Sequence, residues 1–583
     1  MADLLEHKKI PHRTLMKRTW KYIRKERAPF IFAFLLIVVN AVLGVVMPRA
    51  NGIFIDYVVS PTATLQNIVL IAVVVFGMSL FTQIFVYIET LILTKAGQRI
   101  VYNLRMEAFE HIESMSQNQF NDMAVGSLVT RVCNYTSQLS EFFTNVLVKI
   151  VKDLLTVIIV YIWMLILSPK LGGILSGVMV LIFVISYVFS YQVHKIFNKE
   201  RALISDLNTY LNESLSGMKI IQLFKEEKKY EDTFKKKNHE YFKTKYMVTV
   251  AFSIYRPLVS LIYVLTIAVI IYAGLKLNLT AGVIVSFYLF LNYFFEPVQS
   301  LADSLNHVTR AVSAIERLYN LLDIAPEVVD KEGAIEINEF KGKIEFRNVY
   351  FSYEPNNWIL KNVSFVVNPK ETVAFVGATG AGKTTILNLI VRNFDIQSGQ
   401  ILIDDIDIND ISISSLRRGV GQMLQDVFLF TGTIKENITL FDERYTDEEI
   451  NHAINYVNAN TFIDHLEEGM NTQIVERGEN FSTGQRQLLS FARTIIHKPQ
   501  IMILDEATAN IDTETELVIQ ESLNNIKNIG TMLVVAHRLS TIQNADKIIV
   551  LQHGEIIESG NHEELIKKQG FYYNLYKLQF EEQ

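Results

Sequence analysis

Cysteine is almost missing from this chain: Cys133 stands alone among 583 residues, which rules out an intrachain disulfide and leaves a buried free thiol as the expectation. Charge of either sign is also in short supply. Charged residues make up 20% and the formal net charge is −6, with no basic patch, so a nucleic-acid partner is not expected. The first residues, Met1 to Arg27, are basic, but they hold Asp3, Glu6 and Glu26 and lack a small-residue cleavage site, unlike a signal or transit peptide. With Ile10, Leu15, Met16, Trp20 and Ile23 set among the basic residues, 1–27 reads as an amphipathic helix on a membrane surface. No internal repeat or low-complexity tract stands out.

Apolar residues are abundant, at 50% of the chain. Six stretches are long enough to cross a hydrocarbon layer of about 30 Å, which takes roughly 20 helical residues. They are Pro29–Pro48, Ile68–Leu93, Phe142–Leu167, Leu171–Tyr191, Val248–Leu275 and Ala281–Leu301. The two long connections, Thr94–Glu141 and Gln192–Met247, carry nearly all the inter-helix lysines and arginines, among them Arg99, Arg105, Arg131, Lys195 and Lys228. The positive-inside rule puts these connections and both termini in the cytoplasm. Their helical periodicity predicts that the membrane helices continue beyond the bilayer. A transmembrane domain is thus expected over 28–305 and a charged linker over 306–338. From 339 to 583, β-rich runs alternate with helical ones, the pattern of an α/β domain.

Residues Gly377-Ala378-Thr379-Gly380-Ala381-Gly382-Lys383-Thr384 follow a strand-like run and precede a helical one, the setting a phosphate-binding loop requires. Glycine lets backbone N–H groups close around phosphate oxygens at a helix N-terminus. Lys383 can reach the β- and γ-phosphates, and Thr384 can ligate Mg²⁺. The run Ile501–Leu504 ends in Asp505 and Glu506; Asp505 suits a Mg²⁺ held through water, and Glu506 is placed to polarise an attacking water. Gln425 follows Gly421-Gln422-Met423-Leu424 and His537 follows the apolar run Met532–Ala536, positions suited to the metal or lytic water and to the γ-phosphate. Ser482 reads as a helix N-cap with Gly484 beside it, making a second anion site. Two phosphate sites in one chain suggest two such domains clamping nucleotides between them.

This ordered set resembles the nucleotide-binding domain of ABC transporters, and the six preceding stretches resemble the exporter half-transporter type. The likeness spans essentially the whole chain. It implies an all-α six-helix transmembrane domain followed by an α/β P-loop NTPase domain, with ATP and Mg²⁺ as cofactors. It further implies that Tyr353 stacks on adenine and that Gly377 to Thr385, Ser482, Gly484, Gln485 and Asp512 bind nucleotide. Lys383, Gln425, Glu506 and His537 would carry catalysis, while Thr384, Gln425 and Asp505 would hold the metal. Glu476-Arg477-Gly478 would contact the membrane domain, and short elements near Asn118–Met123 and Tyr210–Gly217 would be coupling helices.

One departure matters. The family signature L-S-G-G-Q reads Phe481-Ser482-Thr483-Gly484-Gln485 here, so a branched side chain stands where glycine allows close approach of the γ-phosphate. In the family this turn completes the partner's site, so an intact P-loop beside a weakened signature points to a heterodimer with a second half-transporter. The expected activity is ATP-driven export of amphipathic or hydrophobic compounds across a bacterial plasma membrane; a lipid or lipid-linked saccharide flippase or a homodimeric exporter is the alternative. A nucleic-acid remodelling ATPase is excluded by the membrane stretches. Glu89, Lys149, Lys152, Asp153, Glu296 and Asp303 are candidate substrate contacts. The aromatics Phe287, Tyr288, Phe290, Tyr293, Phe294 and Phe295 are candidates for either a cavity lining or helix packing.

Overall fold

The computed structural model describes residues 10–423, 427–505, 513–527, 529–535 and 542–580, without the side chains of residues 12, 194, 298, 299, 301–303, 305, 306, 513, 514 and 578–580. The chain forms two compact units, one of Met1–Glu113 with Met123–Ile324 and the other of Ser114–Asp122 with Ala325–Gln583.

The first unit is helical. An amphipathic helix α1 (His12–Lys25) is followed by long helices α2 (Arg27–Val59), α3 (Leu65–Glu113), α4 (Val125–Leu167), α5 (Pro169–Ser216), α6 (Glu227–Lys276) and α7 (Ala281–Leu322). Among the described residues, α2 to α6 are long and apolar enough to cross a membrane, whereas α7 contributes a shorter apolar stretch, Ala281–Pro297. No residue in the most apolar stretch of α3 is buried. So large an apolar face has no stable place in water, and lipid must cover it. At 49 residues α3 is about 70 Å long, more than twice the hydrocarbon thickness.

Local chemistry sets the packing. Leu15 and Tyr22 of α1 are buried against Ala311, Ala314 and Leu318 of α7, leaving Met16 and Trp20 exposed. The Arg18–Asp323 ion pair at 2.7 Å fastens the same contact. Those α7 residues repeat at helical spacing, which is why the segment expected as linker from 306 is helix as far as Leu322. Helices α5 and α6 pair through Phe189 stacked on Tyr255 at 4.0 Å and Ser186 bonded to the Tyr255 hydroxyl at 2.8 Å. Four of the α7 aromatics, Phe287, Phe290, Phe294 and Phe295, are buried in the helix core with Met164, Leu171 and Leu175. They therefore pack helices; Tyr288 and Tyr293 remain exposed. Cys133 is exposed rather than buried, on a π-helical segment of α4, Thr130–Tyr135. Residues 210–216 are the last turns of α5, and a separate short helix, Met218–Leu223, follows Gly217.

Where α2 ends and α7 begins, the two backbones touch. A methyl group on Gly282 would lie 2.0 Å from Gly52 O, and one on Gly52 would lie 2.3 Å from Gly282 O. Asp56 accepts from Thr280 Oγ1 (2.8 Å) and from the Gly282 amide (2.7 Å), satisfying donors at the start of α7. Small residues permit this approach, and the carboxylate holds it.

The second unit is a two-sheet α/β domain. A six-stranded sheet has the order β12-β11-β3-β10-β9-β6, and a four-stranded sheet has the order β2-β1-β4-β5. The strands are β1 (Ile344–Ser352), β2 (Trp358–Val367), β3 (Thr372–Val376), β4 (Ser398–Ile403), β5 (Ile406–Asp407), β6 (Val420–Met423), β7 (Gly432–Thr433), β8 (Gln473–Ile474), β9 (Ile501–Asp505), β10 (Thr531–Val535), β11 (Lys547–Gln552) and β12 (Glu555–Gly560); β7 and β8 pair separately. In the larger sheet β11, β3, β10, β9 and β6 run parallel. Every residue of β3 and β10 is buried, because both faces are covered. Ala374, Val376, Met532 and Val534 point into one core, which includes Leu488 and Leu489. Val373, Phe375, Leu533 and Val535 point into the other, with Phe346, Val363 and Ile386. The short helix Gln117–Asn121 belongs to this unit: Gln119 Nε2 donates to Ala325 O (2.8 Å) and Ser116 Oγ to Glu327 Oε2 (3.1 Å).

Gly282→Leu is expected to lower the thermal midpoint of the detergent-solubilised protein by several degrees. Gly77→Leu, where an added methyl group meets nothing within 4 Å, is expected to leave it unchanged. Asp56→Ala should cost about 1 kcal/mol, the worth of a lost helix cap. Static light scattering during a temperature ramp tests all three.

Candidate nucleotide site

Strand β3 ends at Val376 and the chain turns through 377–382 into helix α8 (Lys383–Ile390). Two glycines are required by geometry. A methyl group on Gly377 would lie 2.2 Å from Leu551 O, and Gly382, the N-cap of α8, has φ +102° with Leu360 Cδ2 2.7 Å from where a Cβ would sit. Ala378, Thr379, Gly380 and Thr384 face solvent at the helix N-terminus, while Ala381, Lys383 and Thr385 are buried. The Lys383 ammonium turns back onto the loop, donating to Gly377 O (2.7 Å) and Ala378 O (3.1 Å). Burial pushes its pKa down, and the negative charge of Asp505 opposes that shift. Such a cation, short of solvent and counter-charge, is stabilised by an anion in the loop.

Asp505 is brought near by strand register. Val535 at the end of β10 pairs with Phe375 on one side and Asp505 on the other, so β3, β10 and β9 end at one level. Met423, the last residue of β6, pairs with Leu504, placing the chain's exit toward Gln425 beside the same end of β9. Gln425, Glu506, Asp512 and His537 themselves lie outside the described residues.

Tyr353 stands at the rim. Its hydroxyl is 3.1 Å from Thr385 Oγ1, and its ring meets Phe351 and Phe394 edge-on at centroid distances of 4.9 and 5.0 Å. It is 43% exposed, so part of the ring stays open to a planar ligand while Phe351 and Phe394 brace the rest. Sequence reading missed the bracing residues. Phe394 carries no motif, and Gln397 clamps Ser352 by accepting from its amide (3.0 Å) and donating to its carbonyl (2.9 Å). Only the fold brings these loop residues to β1.

The turn around Ser482 opens helix α9 (Thr483–Ile496). Ser482 Oγ accepts from the Gln485 amide (3.2 Å) and Gln485 Oε1 accepts from the Ser482 amide (2.9 Å), a reciprocal capping box. Thr483 is exposed, and its hydroxyl accepts from Arg486 Nη2 at 3.2 Å. Arg486 is held in turn by Gly478 O and Phe481 O. Gly484 is buried. No hydrogen bond among the described residues joins this turn to the phosphate cradle. Tyr353, Gly377 to Thr385 and Asp505 therefore form one cluster, and Ser482, Gly484 and Gln485 another.

Residues 30–298 match the ABC transporter transmembrane region, and residues 360–509 match the family model described as ABC transporter. A Bacillus subtilis protein named as a probable multidrug resistance ABC transporter ATP-binding/permease protein is 36% identical over 88% of this chain and 77% of its own length. An ATP-dependent lipid A-core flippase of Syntrophus aciditrophicus is 33% identical, covering 97% of this chain and 95% of the relative. The fold is similar to that of a bacterial Atm1-family ABC exporter with ATP bound, with TM-score 0.79, 24% identity, and 95% and 98% of the two chains covered. With a membrane-spanning helical unit and an ATP-binding unit in one polypeptide, the chain belongs to the ABC transporter family, as a multi-pass exporter that couples ATP hydrolysis to transmembrane transport.

Proposed function

We propose that this chain is one half of a heterodimeric exporter of amphipathic or hydrophobic compounds in the bacterial plasma membrane, with its nucleotide-binding unit and both termini cytoplasmic. The observation that carries the pairing is Thr483. Its branched side chain, bonded to Arg486, occupies the solvent-facing start of α9, where a partner's γ-phosphate would approach. This chain would supply Lys383, Gln425, Glu506 and His537 to one ATP site and a weakened signature turn to the other. The partner would carry a regular signature and lack the carboxylate equivalent to Glu506.

In the intact site, Gly377 to Thr385 bind the phosphates, Lys383 neutralises their charge, and Tyr353 stacks on adenine. Glu506 orients and deprotonates the attacking water, and His537 holds the γ-phosphate. Mg²⁺ would be held by Thr384, whose side chain faces solvent beside the cradle, by Gln425, and through water by Asp505. When bound, it neutralises charge on the transferring phosphoryl group. Tighter ATP binding to the closed pair of nucleotide units biases the membrane bundle toward one access state, and hydrolysis releases it. The flippase name borne by one relative supports a second reading, in which the amphiphile is a lipid.

Lys383→Ala is expected to reduce phosphate release by the reconstituted transporter about 100-fold or more. Tyr353→Ala should weaken binding of a fluorescent ATP analogue by about 1–2 kcal/mol, the worth of one aromatic–base stack. Co-expressed with its partner, the chain should hydrolyse ATP in a manner abolished by Glu506→Gln, while the chain alone turns over slowly. Full-rate hydrolysis by the isolated chain would show a homodimer instead. Transport of a hydrophobic dye into inverted vesicles, set against movement of a labelled lipid between leaflets, separates the two substrate readings.

A further inference from the structure

The helical unit contains a cavity of about 500 Å³ between α2, α3, α4 and α7, within the range of small-ligand pockets, roughly 300–1,000 Å³. Its lining is unusually charged for membrane depth. Asn40, about 20 Å along α2 from Arg27, and Glu89, inside the apolar run of α3, meet there with Lys149, Lys152, Asp153 and Glu296. Asn40 and Glu89 are 5% and 4% exposed. Asn40 Nδ2 donates to Glu89 Oε2 at 3.0 Å, which leaves Asn40 Oδ1 buried with no hydrogen-bond partner. Asp153 accepts from Ser300 Oγ at 2.8 Å. Among the described residues, no ion pair joins Lys149, Lys152, Glu89 or Glu296 to any neighbour.

Two features limit what could fill the space. A buried, unpartnered amide oxygen beside a carboxylate asks for a cation that donates hydrogen bonds, which a primary ammonium does and a quaternary ammonium does not. Two lysines one helical turn apart on α4 offer an anchor for a phosphate or carboxylate. Charges of both signs face this one cavity without ion pairs among the described residues, and a ligand carrying both signs answers them together.

Resting on the export reading above, we propose that this cavity binds the head of an amphiphile bearing a primary ammonium and an anionic group a few bonds apart. Glu89 and Asn40 Oδ1 receive the ammonium, Glu296 adds to its field, and Lys149 and Lys152 receive the anion. The same chemistry occurs in an ethanolamine phospholipid headgroup and in a soluble amino phosphate.

The test is binding to the purified full-length chain in detergent, without nucleotide, by isothermal titration. Dioctanoyl phosphatidylethanolamine is expected to bind about tenfold more tightly than dioctanoyl phosphatidylcholine, which has the same phosphate and no N–H donor. Glu89→Gln, which keeps the shape and the bond to Asn40, should erase that preference; Glu296→Gln, at an exposed position, should weaken the ethanolamine lipid severalfold. Lys149→Ala with Lys152→Ala should weaken both lipids about tenfold. Competition by free O-phosphoethanolamine assigns a soluble ligand, and its failure to compete assigns the lipid. Equal binding of the two lipids to the unmodified chain, or an unchanged preference in both carboxylate variants, overturns the proposal. Because no nucleotide is present, a null result leaves the Lys383-dependent ATP hydrolysis standing, and failure of that hydrolysis leaves this site standing.

Discussion

The common level at which β3, β10 and β9 end is the constraint on which the nucleotide unit depends. Val535 pairs with Phe375 and Asp505 at once, so β3, which leads into the 377–382 loop, flanks β10 on one side while the acidic end of β9 stands on the other. A one-residue slip would turn every side chain on the slipped strand to the opposite face and exchange its two cores. The buried rows Ala374/Val376 and Val373/Phe375, each in its own apolar cluster, oppose that slip. Hydrophobic burial therefore determines where Lys383 meets the field of Asp505, although neither residue contributes much apolar surface.

The membrane unit handles polar groups in two ways. At the α2–α7 contact polar groups are answered within the chain: Asp56 takes the Thr280 hydroxyl and the Gly282 amide, and the Ser286 hydroxyl lies 2.7 Å from Gly282 O. Around Glu89 the balance is left incomplete, with the Asn40 amide oxygen buried and unpartnered beside a cavity lined by charges of both signs. A structure tolerates such cost where the missing partner arrives from outside. The same contrast appears at the nucleotide loop, where Lys383 is buried against carbonyl oxygens and its charge is left to be met by an anion.

Much of this was legible from residue order because the relevant signals are local. Apolar run length announced the membrane helices, and alternation between short β-rich and helical runs announced the α/β unit. The glycine spacing of 377–382 announced a phosphate loop, and Ser482 with Gln485 announced a helix start. Local signals were weaker where partners lie far apart in the chain. Residues 306–322 looked like a charged linker because α7 buries only one side there, against Leu15 and Tyr22 some 300 positions earlier. The short element expected at 210–217 proved to be the tail of α5, with the break at Gly217, about two turns beyond residue 210, because nothing before Gly217 stops the helix.

By itself, the order of amino acids determined the class of each unit, the glycine-rich turn into α8 and the unusual turn at the start of α9, since helix length, turn chemistry and glycine placement depend on near neighbours. Tertiary structure alone decided which aromatics pack rather than line a cavity, how Phe394 and Gln397 brace Tyr353, and that Asn40 meets Glu89. Those contacts join residues tens of positions apart, and no local pattern encodes a distance that only folding closes.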